Sequence, residues 1–162
     1  MSTMRTSRLN PVTAVAALAT LALTASPALA SGHGILRAEL VGSMPADPPI
    51  AGVTPGGAPW VNGPSKARVR EDGRIEVKIK GLVIPPPVGT GVNPVASVVA
   101  TLVCDGAVES STAPFALDAA GDGSTSDVIT GTRHCEDPIV LIQPAANLAR
   151  FIASTVDDHD DD

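Results

Sequence analysis

Ser31-Gly32-His33 could hold a transition metal if Ser31 is the first residue of the processed chain. A free α-amine, two amide nitrogens and an imidazole at the third residue close fused chelate rings in one plane. Cu(II) and Ni(II) favour that tetragonal nitrogen set. A weaker candidate lies in "VDDHDDD" (156–162), where Asp158, His159 and Asp160 offer carboxylate oxygens and one more imidazole. The remaining histidine, His134, adjoins Cys135; as a general base it would need a carboxylate and a nucleophile beside it. Asp118, Asp122, Ser124 and Asp127 are spaced loosely like a calcium loop, but the EF-hand spacing fails and its terminal Glu is missing, so a polar hairpin turn is expected. The sequence contains no nucleophile elbow, no His-Glu-x-x-His and no phosphate-binding loop. We therefore expect a non-catalytic protein, with a hydrolase using His134 as an alternative.

These side chains belong to an exported chain. Arg5 and Arg8 precede the apolar run "PVTAVAALATLAL" (11–23), and "TASPALA" ends in the small-x-small site Ala28-Leu29-Ala30. Residues 1–30 read as a signal peptide, leaving a secreted product with no stable membrane anchor. Cleavage after Ala30 would free Ser31, and Ser31-Gly32-His33 then resembles the amino-terminal copper- and nickel-binding motif. That resemblance covers three residues and implies Cu(II) or Ni(II) capture as an alternative function. The remaining 132 residues hold nine Lys and Arg against 17 Asp and Glu, a net charge of −8. Such a balance argues against nucleic acid as the partner, because phosphate binding needs a basic excess. In an exported chain Cys104 and Cys135 are expected to form a disulfide.

Against that acidic background, "SKARVREDGRIEVKIKG" (65–81) gathers six of the nine cations. Its apolar residues sit at odd positions on both arms: Ala67 and Val69, then Ile75, Val77 and Ile79. A two-residue turn would put Glu76 opposite Val69 on the buried face, so that register is excluded. A three-residue loop, Glu71-Asp72-Gly73, sets Val69 opposite Ile75, with Gly73 in the left-handed position. Lys66, Arg68, Arg70, Arg74, Lys78 and Lys80 then share the outward face with Glu76. The surface is a candidate dock for an anionic wall polymer or protein, and like charges opposed at Lys66/Lys78 call for some counter-charge. The acidic tail, 157–162, is one source.

The rest of the chain must position that face. "ILRAELV" (35–41) alternates Leu36, Ala38 and Leu40 against Arg37 and Glu39. Residues 42–64 carry six Pro and five Gly, too many for helix or regular strand, and are either mobile or pinned by Ile50, Val53 and Trp60. "VASVVATLVC" (95–104) is a core strand with Ala96, Val98, Ala100, Leu102 and Cys104 on one face and Ser97 and Thr101 on the other. Further runs follow at 113–117, 126–130, 138–143 and 149–154. The expected fold is all-β: an antiparallel, immunoglobulin-like β-sandwich of about seven to eight strands over residues 31–156, with one disulfide tying strand ends. Its expected role is a structural or binding module at the cell exterior.

Overall fold

The structure, a computed structural model, describes residues 32–155. The expected signal peptide (1–30), Ser31, and the expected acidic tail with Asp158, His159 and Asp160 lie outside the described residues. Within them the fold is all-β. The strands are β1 (Gly34–Gly42), β2 (Thr54–Pro55), β3 (Lys66–Arg70), β4 (Arg74–Ile79), β5 (Ser97–Cys104) and β6 (Ala107–Ser111). They continue as β7 (Phe115–Ala116), β8 (Gly123–Val128), β9 (Pro138–Pro144), β10 (Arg150–Phe151) and β11 (Ala153–Thr155).

Eight of these form one antiparallel sheet in the order β6-β5-β9-β11-β1-β3-β4-β8, with β7 on the free part of β5. β1 joins the halves by changing partner along its length. Residues up to Glu39 pair with β3, whereas Leu40, Val41 and Gly42 pair with β11. Gly42 is needed where this strand passes the Pro/Gly segment, since a Cβ there would stand 2.4 Å from the Trp60 carbonyl oxygen. The sheet curls so that its ends approach without forming a ladder: Ser110 Oγ donates to the Thr130 carbonyl at 2.7 Å, and the Ala113 amide donates to Asp127 at 2.8 Å. The expected all-β, antiparallel class with a disulfide holds, but the main strands form a single curled half-barrel rather than two facing sheets, while β2 and β10 pair in parallel as a separate two-stranded sheet.

Period-two burial builds the core. Ala67, Val69, Ile75, Val77 and Ile79 point inward from β3 and β4, meeting Val98, Ala100, Leu102, Val140 and Ile142 from β5 and β9. Each of these Val, Ile and Leu side chains contributes about 1.5–3 kcal/mol by leaving water. Ala96, expected inward, precedes β5 and is exposed. The far face of β5 and β9 is covered too. Val103 and Leu141 pack with Val53 and Phe151 in a second apolar cluster. Thr101, on that same far face, is buried and hydrogen-bonded to Gln143 and, at 2.7 Å, to Ser111. The 42–64 segment is thus pinned: Trp60 is 5 % exposed in the main core, and Val53 seals the second cluster. Cys104 ends β5 and bonds Cys135 in the loop before β9, across a Cα–Cα distance of 5.2 Å.

Candidate functional site: a cationic sheet face

The β3–β4 hairpin adopts the register the alternation requires, with Lys66 opposite Lys78, Ala67 opposite Val77, Arg68 opposite Glu76 and Val69 opposite Ile75. Gly73 closes the loop at φ +88°, and its amide donates to the Arg70 carbonyl at 3.0 Å. Asp72 Oδ1 accepts from the Arg74 amide at 3.0 Å, holding the turn from the other side. Locked in this way, the hairpin turns its charged positions outward.

Neighbouring strands extend the face. β1 sets Arg37 opposite Arg68 and Glu39 opposite Lys66, while β8 sets Ser124 opposite Lys78 and Ser126 opposite Glu76. Two cross-strand rows result. One reads Glu39, Lys66, Lys78, Ser124; the other reads Arg37, Arg68, Glu76, Ser126. Arg70 and Arg74 flank the turn, and exposed Lys80 follows β4. All six sequence-predicted cations are therefore on one side of the sheet, joined by Arg37. The alternation in β1 turns Arg37 and Glu39 outward, but nothing in the sequence signals that this strand lies beside the hairpin.

Shallow grooves run over the face. The largest, about 580 Å³, is lined by Arg37, Glu39, Pro64, Lys66, Lys78 and Lys80 among others. It shares Lys66 and Lys78 with a second groove that includes Arg68 and Glu76, and Arg37 with a third that reaches Arg70. Arg68 Nε is a buried side-chain nitrogen with no hydrogen-bond partner among the described residues.

One counter-charge is internal. Lys80 Nζ donates to Asp122 Oδ2 at 2.5 Å, and Asp122 Oδ1 accepts from the Gly81 amide at 2.8 Å. The bond from Lys80, followed by that from Gly81, holds the Asp122 carboxyl below its ordinary range, and the same pair raises Lys80. The other carboxylates of the calcium-like segment do local structural work. Asp118 Oδ1 accepts from the amides of Ala120 and Asp122, both at 2.9 Å. Asp127 is lowered by amide donors from Ala113 and Val128. Among the described residues no group of three or more His, Cys, Asp or Glu is arranged to hold a metal ion.

The two described histidines share one end of the molecule. His33 is exposed; its carbonyl accepts from the Glu71 amide at 2.9 Å, and its Nδ1 lies 3.8 Å from Glu71 Oε2. His134, exposed and at φ +66°, lines a groove of about 660 Å³ with Glu71, Asp72, Thr132 and Glu136. Carboxylates therefore do stand around His134. Among the described residues lining that groove the one side-chain hydroxyl is that of buried Thr132, whose Oγ1 donates to the Glu71 carbonyl at 2.9 Å.

Comparison with protein-family models, with curated proteins and with solved structures finds no match. The disulfide suggests an oxidising, extracellular environment. Among the described residues, no helix is long and apolar enough to cross a membrane.

Proposed function

We propose that this chain is a secreted, non-catalytic β-sheet module that docks an extended anionic polysaccharide on the β1–β3–β4 face. The observation carrying this reading is the register that turns Arg37, Lys66, Arg68, Arg70, Arg74, Lys78 and Lys80 outward from one continuous surface. Side chains on one face of a strand recur about every 7 Å and neighbouring strands lie about 4.8 Å apart, so the cations form a lattice suited to a charged chain. The grooves are shallow and contiguous, which favours a long ligand lying across them over a small one enclosed. No aromatic residue interrupts the cations, so recognition rests on charge rather than stacking. The architecture is read as an immunoglobulin-like sandwich variant, since the core lies between the β3–β4 half and the β5–β9 half.

The test is binding of polygalacturonate to the protein and to an Arg37→Gln/Lys66→Gln/Arg68→Gln/Lys78→Gln variant, with poly-L-glutamate as the acidic-polypeptide arm. Saturable polygalacturonate binding that weakens at least tenfold in the variant supports the reading. Preference for poly-L-glutamate moves it to an acidic protein partner, and equal binding by parent and variant removes it.

A second reading, Cu(II) or Ni(II) capture by Ser31 and His33, is supported by the exposed His33 imidazole beside the Glu71 carboxylate. A d–d absorption band at one equivalent of Cu(II) supports it, and its absence in chain confirmed to begin at Ser31 removes it.

A further inference from the structure

We infer that residues 156–162 of this same chain occupy the cationic face and compete there with the external polyanion. The inference rests on the proposed anion-binding role for that competition, but the docking itself does not.

Placement is the first argument. β11 ends at Thr155, opposite Leu40, and the next residue along β1 in the direction of travel is Glu39, already part of the face. Thr155 and Leu40 are both buried, whereas Glu39, the next β1 position, is exposed on the side that bears Arg37 and Lys66. Seven residues reach about 23 Å when extended. The distance from β1 to β4 is only two strand spacings, about 10 Å.

Charge is the second. Asp157, Asp158, Asp160, Asp161 and Asp162 supply five carboxylates, where the face has seven cations against Glu39 and Glu76. Lys66 opposes Lys78 and Arg37 opposes Arg68, like-charge contacts that disfavour the sheet, with Glu39 and Glu76 standing only on the other side of Lys66 and Arg68. Asp122 pairs with Lys80 at one corner and also feels the charge of Lys78. An attached segment acts at an effective concentration near millimolar, so even weak contacts would fill the face for much of the time.

The experiment compares the full chain with a variant in which all five tail aspartates are changed to Asn. Affinity for polygalacturonate and Tm are measured at low and high salt. Docking predicts that the variant binds the probe about three- to tenfold more tightly at low salt. It also predicts that the parent has the higher Tm at low salt, with the difference vanishing at high salt. The sign of the Tm change is diagnostic, because an undocked acidic segment on a net acidic body would lower the parent's Tm or leave it unchanged. If neither protein binds the probe, the function reading fails while the Tm comparison still decides the docking. Equal affinities with equal Tm values overturn the inference. So does a difference that grows with protein concentration, which would assign the segment to a second copy.

Discussion

Lys66 and Lys78 stand directly opposite one another on neighbouring strands, both exposed, with their backbones fixed by the packing of Ala67 against Val77 one position on. Two like charges in that relation oppose hairpin formation, so what the buried face gains is partly offset on the outer one. Lys78→Glu turns the repulsion into attraction. It is expected to raise stability by about 0.2–1 kcal/mol while weakening polygalacturonate binding. Urea unfolding and a binding titration on the same variant check the two halves; a gain in both stability and affinity would contradict the assigned role of the face.

Gly73 makes the register possible. At φ +88° a side chain is strained, and a Cβ there would stand 2.3 Å from the Ile129 carbonyl oxygen. The Ile129 amide also donates to the Gly73 carbonyl at 2.8 Å, so the turn is tied to the segment after β8. Gly73→Ala is expected to cost about 1–3 kcal/mol, read from the urea midpoint. A neutral outcome would mean that the loop has another conformation.

The bond between Cys104 and Cys135 links the end of β5 to the loop before β9. Its sequence separation of 31 residues implies about 3–4 kcal/mol in the chain-entropy account. Cys104→Ala/Cys135→Ala is expected to lose that amount in equilibrium unfolding. A loss below about 1 kcal/mol would show that the unfolded chain is already constrained there.

Asp122 gives a pH signature. Its folded pKa lies below the ordinary 3.8, so the stability it supplies is complete above the unfolded value and is lost as pH falls through the folded one. Lys80 is raised above its ordinary 10.5, so its share persists below that value and disappears as pH climbs past the folded one. The Tm deficit of Asp122→Asn should therefore be constant from about pH 5 to about pH 8 and shrink toward zero below about pH 3.8. Tm measured across that range checks it, and a deficit that grows on acidification would reverse the sign.

The hairpin was legible because two local signals agree: apolar residues at odd positions on both arms, and a glycine where the loop must turn left-handed. The placement of β1 beside β3 was not, since its alternation specifies which way Arg37 and Glu39 point but not which strand they neighbour. Nor does that alternation mark the change of partner between Glu39 and Leu40, which makes one curled sheet where two were expected. β6 escaped notice because four of its five residues are exposed and alternate with nothing. Its signal was nonetheless present: Asp105-Gly106, at φ +51° and +80°, is a two-residue hairpin turn. The double-sided burial of β5 depends on the Pro/Gly segment lying over it, a tertiary fact that its residue spacing does not encode.

If the cations of β1, β3 and β4 form the surface a polyanion meets, amide chemical shifts mapped during a polygalacturonate titration should change mainly at residues 37–39, 66–70 and 74–80. Shifts centred on the His134 groove or on the outer side of β5 and β9, with the hairpin silent, would contradict that assignment.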